Sequence, residues 1–366
     1  MRGHVSGRLP TFPWDRLLPY KRTALAHADG IVDLSIGTPV DPVPDVIRRA
    51  LSAASDSPGY PTVHGSAELR ASIAGWLGRR LGVAVEDETA VLPTIGSKEL
   101  VGSLLAQLGL GAGDTVVVPE LAYPTYDVGA RLVGADVVAT DGLTSLGPRR
   151  VGLVWLNSPG NPHGRVLPAE HLAKVVAWCR ERGVLLASDE CYAELGWDTA
   201  PVSILHPSVS GGSHEGLLAV HSLSKRSNLA GYRAGFVAGD PAVVRELLEV
   251  RRHAGLMVPG PVQAAMRAAL DDDDHVERQR ALYAARRQRL HAAFTGAGFR
   301  VDHSEAGLYL WVTRDEDCWQ TLGRLAERGI LVAPGEFYGA TGTSHVRVAL
   351  TATDERVEAA CTRLAA

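Results

Sequence analysis

Lysine is rare in this chain. Only Lys21, Lys98, Lys174 and Lys225 are lysines among the 37 basic residues of the 366-residue sequence. Lys174 lies in a helical pattern over 168–182, outside the apolar stripe of that helix, and it is expected on the surface. Chemistry that needs a lysine amine therefore has few candidates, and Lys225 stands among serines in the stretch SLSKRSN at 222–228.

Several other signatures are missing. The four cysteines, Cys179, Cys191, Cys318 and Cys361, form no C-x-x-C spacing, which gives no zinc or disulfide signal and favours a reduced, cytoplasmic setting. No apolar run approaches the roughly 18 residues of a membrane span, and the N-terminus lacks a signal-peptide core. The net charge of −4 gives no electrostatic footprint for nucleic acid. We therefore expect small-molecule partners, with no nucleic acid and no membrane.

An acidic run, DDDD at 271–274, is the one charge cluster that suggests a metal site. It lacks the interleaved spacing of metal ligands, and carboxylates are favoured at the start of a helix. The run therefore predicts a solvated helix start, and no metal is expected.

Hydrophobic patterning predicts an α/β fold. Runs at 115–118, 136–139, 151–156, 184–188, 217–221 and 234–238 are mostly apolar throughout, as buried parallel strands are, and helical patterns such as 98–109 intervene. A mostly parallel sheet follows from this alternation. After about residue 259 a long Arg- and Ala-rich helix precedes alternating strands. We expect an N-terminal arm at 1–36 that joins the small domain, a large domain at 37–258, and a small α+β domain at 259–366.

The spacing of Ser222 and Lys225 allows two chemistries. Serine acylases of the penicillin-interacting kind use S-x-x-K for a nucleophile and its base, but they also need K-T-G and S-D-N elements. None of the four lysines precedes Thr-Gly, and the nearest match to the second element is SDE at 188–190. The stretch is better explained by a lysine that binds an aldehyde cofactor as an imine.

A pyridoxal phosphate site needs such a lysine, an anion opposite the pyridine nitrogen, donors to the phenolate oxygen, and a phosphate cup. Polar residues follow predicted strands at 120–123, 157–161, 189–192 and 222–225. Ligands of parallel sheets bind at the carboxyl ends of the strands. Each requirement therefore has a candidate at a predicted strand exit or helix start.

The stretch SLSKRSNLAGYR at 222–233 resembles the cofactor-lysine motif of fold-type I aminotransferases of class I and II. Further motifs similar to those of that family occur in chain order: YPTVHGSAELR at 60–70, GSKE at 96–99, YPTY at 123–126, NPHG at 161–164, DECY at 189–192 and RVAL at 347–350. The resemblance implies the fold-type I architecture, pyridoxal 5′-phosphate as cofactor, and transamination as the reaction.

The resemblance assigns the catalytic residues. It implies that Lys225 holds the cofactor and moves the proton, and that Asp189 faces the pyridine nitrogen and keeps it protonated. Tyr192 and Asn161 would donate hydrogen bonds to the phenolate oxygen. Two of these assignments have a simpler alternative, namely a helix N-cap for Asp189 and a turn residue for Asn161.

The resemblance also assigns the phosphate and ring contacts. Arg233 would bind the phosphate, with Ser222 preferred over Ser224 as the hydroxyl donor. The start of the helix after Gly96 would add Ser97 and the amide of Lys98, whose side chain is expected in solvent. Tyr123 would stack on the pyridine ring. The alternatives are a surface ion pair for Arg233 and a plain core position for Tyr123.

On the substrate side, Arg347 matches the arginine that binds the substrate α-carboxylate as a bidentate pair, with a structural strand arginine as the alternative. Asn161 is assigned to this side as well, and Gly37 would let substrate backbone atoms approach closely. Tyr60 matches a tyrosine that reaches the phosphate of the neighbouring subunit, so the resemblance implies a homodimer with shared active sites.

The substrate rests on resemblance alone. Stretches at 9–16, 33–44, 224–240 and 346–356 look like the actinobacterial N-succinyldiaminopimelate aminotransferases of lysine biosynthesis, which transfer an amino group from glutamate to N-succinyl-2-amino-6-oxopimelate. Gly260 is smaller than expected between its prolines and suggests a wider pocket. The alternatives are another dicarboxylic, N-acyl or aromatic amino acid, a pyridoxal-dependent lyase, and a non-enzymatic effector sensor.

Overall fold

The computed structural model describes residues 4–85, 88–147 and 149–365. The β-strands in these ranges are β1 Val32–Asp33, β2 Val91–Ile95, β3 Thr115–Val118, β4 Asp136–Ala139, β5 Val151–Asn157, β6 Leu185–Asp189, β7 Leu217–Ser222, β8 Ala234–Gly239, β9 Arg300–Asp302, β10 Tyr309–Thr313, β11 Ile330–Leu331, β12 Ala333–Pro334 and β13 His345–Ala349. The α-helices are α1 Leu18–Leu25, α2 Asp45–Ala53, α3 Ala67–Leu81, α4 Ser97–Gln107, α5 Thr125–Val133, α6 Ala169–Glu181, α7 Pro207–Ser210, α8 Leu223–Arg226, α9 Pro241–Ala254, α10 Gly260–Asp271, α11 Asp274–Gly296, α12 Cys318–Glu327 and α13 Asp354–Ala365.

A seven-stranded sheet in the order β2-β8-β7-β6-β5-β3-β4 forms the centre of the larger part. Its strands are parallel except for β8, which runs antiparallel to both of its neighbours. Alternate residues of β7 enter different cores, since Leu217 and Ala219 belong to one hydrophobic cluster and Leu218 and Val220 to another. Both faces of the sheet are therefore covered, as expected for parallel strands. The predicted α/β fold with a large, mostly parallel sheet is confirmed.

A second, antiparallel sheet in the order β12-β13-β10-β9 forms a smaller unit with α11, α12 and α13. The N-terminal segment joins this unit, because β1 pairs in parallel with β11 and Leu34 lies in the same hydrophobic cluster as Val348. Helix α10 packs instead on α2 and α3, and its Met266 lies in a core of the large sheet.

Several predicted elements end at different residues. Strands β5, β6 and β7 each extend one residue further than predicted, so Asn157, Asp189 and Ser222 are the last residues of their strands. Strand β1 has only two residues, because the Asp33 carboxylate accepts the backbone N–H of Ser35 at 3.0 Å and turns the chain. The acidic run 271–274 joins the end of α10 to the start of α11.

The sheet register brings the polar strand ends together. Asn157 at the end of β5 pairs directly with Asp189 at the end of β6, and Asp189 pairs with Val220 of β7. These residues therefore share the carboxyl edge of the large sheet, where α/β proteins bind ligands. Among the described residues, no helix has the length and apolar character to cross a membrane, and no three His, Cys, Asp or Glu side chains converge as a metal site requires.

Candidate active site

A buried carboxylate lies at the centre of this edge. Asp189 is 7% exposed, and its Oδ2 accepts a hydrogen bond from the Tyr126 hydroxyl at 2.9 Å. Its Oδ1 accepts the backbone N–H of Cys191 at 3.1 Å, and its carbonyl accepts the Asn157 amide at 2.9 Å. Burial, followed by the charge of Asp189, raises the pKa of Tyr126 well above its ordinary value, so this phenol remains a donor at neutral pH. These hydrogen bonds fix the carboxylate in place.

Lys225 lies in the short helix α8, where β7 ends. The Ser222 hydroxyl oxygen caps this helix by accepting the backbone N–H of Ser224 at 3.1 Å. Burial raises the pKa of Tyr123, and the charge of the Lys225 amine opposes that rise. The Tyr123 ring in turn meets Tyr126 edge to face, with 5.9 Å between centroids. Lysine, carboxylate and aromatic ring therefore border one space.

An anion cradle lies beside them at the start of α4. Gly96 has φ +73°, and a Cβ placed on it would lie 2.5 Å from Nη2 of Arg233, so only glycine lets this backbone approach the guanidinium. A Cβ on Gly235 would lie 3.0 Å from the Ser97 amide nitrogen, which shows how closely β8 packs on the helix start. No side chain caps α4. Its first N–H groups and the Arg233 guanidinium therefore suit a phosphate.

A buried arginine, Arg347, lies on the opposite side of this space. It is 3% exposed, and its Nη1 donates to the Asn161 side-chain oxygen at 3.0 Å while its Nη2 donates to the Ser35 carbonyl at 2.7 Å. Its Nε is buried and has no hydrogen-bond partner among the described residues. The Arg347 guanidinium lies 3.9 Å from the ring centre of Tyr309 and 4.9 Å from that of Tyr338. A buried cation with an unpaired donor is suited to a carboxylate.

A layer of buried ionisable side chains lies next to α8, the helix that carries Lys225. Glu190 is buried, and its Oε2 lies 3.6 Å from Nε2 of His221. Burial raises the pKa of Glu190 to about 7 and lowers that of His221 to about 3. Next to them, the buried Arg226 forms an ion pair with Glu194 at 2.8 Å. Arg226 is the last residue of α8, so this layer is joined directly to that helix.

The residues described so far form two groups. The cofactor half consists of the side chains and helix start at the carboxyl edge of the large sheet: Gly96, Ser97, Tyr123, Tyr126, Asp189, Ser222, Ser224, Lys225 and Arg233. The substrate half consists of the groups around the buried guanidinium: Ser35, Gly37, Asn161, Tyr192, Tyr309 and Arg347. Tyr192 joins the halves, because it follows Asp189 in the chain and its hydroxyl lies 3.2 Å from that of Tyr309.

Not every predicted site residue lies in this arrangement. Tyr60 is 97% exposed and makes no contribution to the site of its own chain. The Lys98 side chain is exposed, as its assignment through the backbone amide requires. A Cβ on Gly260 would meet the hydroxyl of Ser57 at 2.7 Å, so this glycine makes room for Ser57.

Four further groups emerge only from the structure. Tyr126 and Asn157 hold Asp189, while Ser35 and Tyr309 hold Arg347. Tyr126 belongs to the YPTY stretch, so its place in that motif was a usable signal. Ser35 acts through its backbone carbonyl, which no side-chain pattern reveals.

These residues fit pyridoxal 5′-phosphate. The helix start and Arg233 suit the phosphate, the buried Asp189 suits a protonated pyridine nitrogen, and Lys225 borders the same space. The unpaired Nε of Arg347 leaves a donor for an amino-acid carboxylate. The arrangement can therefore hold an aldehyde cofactor and an amino acid side by side.

The chain is similar over most of its length to known aminotransferases. The family described as aminotransferase class I and II matches residues 29–364. A probable aminotransferase of Mycobacterium tuberculosis is 64% identical over 99% of this chain and 87% of its own length. The 4-dedimethylamino-4-oxo-anhydrotetracycline transaminase of Streptomyces rimosus is 61% identical over 97% of this chain and 99% of its own length.

Among solved structures, a probable N-succinyldiaminopimelate aminotransferase of Thermus thermophilus superposes with a TM-score of 0.87 at 28% identity, covering 97% of this chain and 99% of the other. The matches to the family and to both relatives run over nearly the whole length of the chain. The chain therefore belongs to the class I and II aminotransferases, and it is a transaminase that depends on pyridoxal 5′-phosphate.

Proposed function

We propose that this transaminase moves an amino group from glutamate to N-succinyl-2-amino-6-oxopimelate, a step of diaminopimelate and lysine biosynthesis. The buried Arg347 with its unpaired Nε carries the amino-acid part of the proposal, because it offers a carboxylate a charged donor out of water. The named acceptor is supported by the end-to-end resemblance of the sequence to actinobacterial enzymes and by the name of the Thermus thermophilus relative.

In this proposal the chain's own residues position and move the proton. Arg347 and Asn161 orient the donor so that its Cα–H bond faces the Lys225 amine, which takes up the proton. Bound pyridoxal phosphate supplies the electron sink for the resulting negative charge. Asp189, fixed by Tyr126 and the Cys191 amide, would hold the pyridine nitrogen and so strengthen that sink.

We further propose that Arg233, Ser222 and the amides of Ser97 and Lys98 bind the phosphate, with Ser224 nearby. The Ser222 oxygen already accepts the Ser224 N–H, so its own proton is available to an anion. Arg233 faces the Gly96 backbone directly, at the end of the helix dipole.

A homodimer with shared sites completes the proposal, in a cytoplasmic setting. The Tyr60 ring is almost fully exposed and so has no packing role in its own chain, which is consistent with a role across a subunit interface. Mixing Tyr60→Ala subunits with Lys225→Ala subunits tests this, because a hybrid dimer would contain one site with both residues intact. Recovery of activity on mixing is expected. Activity that stays at the level of the separate variants would contradict shared sites.

A second acceptor class has its own support. The side chains of Ile36 and Val40, on both sides of Gly37, are 49% and 48% exposed, so apolar surface flanks the substrate half. The Streptomyces rimosus relative is named for a large aromatic ketone. An aromatic acceptor is therefore the second candidate.

One assay separates these candidates. The purified protein with pyridoxal phosphate is incubated with glutamate and a panel of acceptors: N-succinyl-2-amino-6-oxopimelate, aliphatic keto acids and aromatic keto acids. Release of 2-oxoglutarate is measured, and we expect the N-succinyl semialdehyde to give the highest kcat/KM. A clear preference for aromatic acceptors would move the proposal to the second class.

The same assay addresses lyase chemistry. Borohydride reduction should trap the cofactor on Lys225, which shows that the site is loaded. If the trapped cofactor is present but no acceptor supports 2-oxoglutarate release from glutamate, glutamate is not the donor. Formation of elimination products without any keto acid would then indicate a lyase.

A further inference from the structure

Tyr309 connects the two halves of the site, and no sequence motif pointed to it. It lies on β10 and is 4% exposed. Its hydroxyl is 3.2 Å from the Tyr192 hydroxyl, and the two rings meet edge to face with centroids 5.9 Å apart. Its ring face contacts Arg347, whose guanidinium carbon lies 3.9 Å from the ring centre. One side chain thus touches both the phenol beside the cofactor and the cation for the substrate.

The position of Tyr309 is tightly fixed. Strand β10 lies between β13 and β9, and Tyr309 pairs with Ala349 in the antiparallel register. A Cβ placed on Gly37 would lie 2.2 Å from the Tyr309 hydroxyl and 2.8 Å from its ring carbons. The space that a side chain at position 37 would fill is therefore occupied by this hydroxyl.

The hydrogen bond between the two tyrosines has a preferred direction. If Tyr192 donates its proton to the cofactor oxygen, its own oxygen is left as the acceptor, and Tyr309 must be the donor. A hydrogen bond received by a hydroxyl strengthens the bond that the hydroxyl donates. The Arg347 guanidinium lies over the same ring, and its Nε has no hydrogen-bond partner among the described residues.

We propose that Tyr309 is a positioning residue that tunes the cofactor through Tyr192 and orients Arg347 for the substrate carboxylate. The first part rests on the proposed function and on the hydrogen bond to the phenolate oxygen that the family resemblance implies for Tyr192. The second part rests only on the contact between ring and guanidinium. The two parts are separable, because Tyr309→Phe removes the hydroxyl and keeps the ring.

The hydroxyl is tested by a spectroscopic titration of the loaded protein. The absorbance of the bound cofactor is recorded from pH 5 to 10 for the wild type and for Tyr192→Phe, Tyr309→Phe and Tyr283→Phe. Tyr283 is the matched control, a fully buried tyrosine of the same core whose hydroxyl bonds Asn228 at 3.5 Å. A weaker donor leaves the phenolate oxygen less stabilised in its charged form, so the cofactor keeps its proton to higher pH.

The expected shifts form a series. Tyr192→Phe raises the spectral midpoint by about 1 to 2 pH units. Tyr309→Phe raises it by about 0.2 to 0.6 pH units, and Tyr283→Phe leaves it unchanged. If Tyr192→Phe shifts the midpoint and Tyr309→Phe does not, the tuning by Tyr309 is refuted. If neither variant shifts it, both that tuning and the role of Tyr192 are refuted.

The ring is tested by donor kinetics. Tyr309→Phe should leave the KM for the amino donor within about twofold, while Tyr309→Leu should raise it roughly 10- to 30-fold, since a buried cation–π contact is lost. Cofactor loading and the circular dichroism spectrum check that the variants are folded. If the Leu variant is misfolded, Tyr309→Met, which keeps more of the side-chain volume, replaces it. An unchanged KM in the folded variant without the ring would overturn the second part.

Discussion

The cofactor half and the substrate half are built in different ways. The residues around Asp189 and Lys225 sit at the ends of adjacent strands in one sheet, and Asn157 and Asp189 are direct partners in its register. The contacts of Arg347 instead join parts of the chain that are far apart, with Asn161 186 residues away and Ser35 312 residues away. The cofactor half follows from the geometry of one sheet. The substrate half forms only when the N-terminal and C-terminal parts of the chain pack together.

This difference suits the two halves to different tasks. The cofactor must be held rigidly, and a sheet buried on both faces offers little freedom of movement. The substrate must enter and leave, and the residues of the substrate half lie on or next to strands of three separate sheets. The following predictions separate the two halves experimentally.

Removal of the reactive amine should disable the cofactor half completely. Lys225→Ala is expected to lower kcat on the order of 10⁴-fold or more, because both cofactor attachment and proton transfer are lost. The rate of 2-oxoglutarate formation from glutamate measures the effect. Lys174→Ala, on the exposed face of α6, is the matched control and should retain full activity. A Lys225→Ala protein with near-normal turnover would contradict the assignment of the reactive lysine.

The substrate half should fail in a different way. Arg347→Ala is expected to raise the KM for the amino donor roughly 10²- to 10³-fold, since truncation of a buried charged partner costs about 2 to 5 kcal/mol. The absorbance spectrum of the bound cofactor should stay close to that of the wild type. Arg324→Ala removes a surface arginine paired with Glu316 and serves as control. If Arg347→Ala loses the cofactor spectrum instead, the two halves are not separable.

The layer below the cofactor half should make stability depend on pH. The Glu190 pKa is raised from 4.5 to about 7 by burial, so the stability that the protonated group contributes is present below pH 4.5 and is lost as the pH rises towards 7. Glu190→Gln should remove that loss. Relative to the wild type, the free energy of unfolding of the variant should therefore rise by up to about 3 kcal/mol as the pH goes from 4.5 to 7.

The neighbouring His221 acts with the opposite sign. Its pKa is lowered from 6.5 to about 3 by burial, so its contribution is present above pH 6.5 and is lost as the pH falls towards 3. Urea unfolding of the wild type and Glu190→Gln, measured at several pH values, isolates the glutamate part. A stability difference that is constant with pH would show that Glu190 does not titrate in this range.

The smallest expected effect concerns the support of Asp189. Tyr126→Phe removes the 2.9 Å hydrogen bond to the carboxylate and should lower kcat by about tenfold, with little change in donor KM. Steady-state kinetics with glutamate measures both constants. Tyr20→Phe, which alters a ring that packs on Trp319, is the control. A Tyr126→Phe variant that changes KM more than kcat would place this tyrosine in the substrate half.

The contrast between the halves also explains what the sequence could predict. Strand exits follow from hydrophobic patterning, and the family motifs at 96–99, 189–192 and 222–233 carry most of the cofactor half. Arg347 was predicted from resemblance alone, because its partners are a distant carbonyl and a distant amide. Tyr309 lies in a strand that is apolar at nearly every position, as ordinary core strands are. The neighbouring sequence therefore gives no sign that it belongs to a site. The expected role of Gly37 towards substrate atoms stays a prediction, and its missing side chain also makes room for the Tyr309 hydroxyl.

The long sequence separation between Arg347 and Ser35 has a consequence during synthesis of the chain. The chain is synthesised from its N-terminus, and domains can fold as they emerge. The last strand of the large sheet ends at Gly239, yet the guanidinium that we propose binds the substrate carboxylate lies more than a hundred residues later. A nascent or prematurely ended chain could therefore complete the lysine site while still having no means to recognise an amino acid.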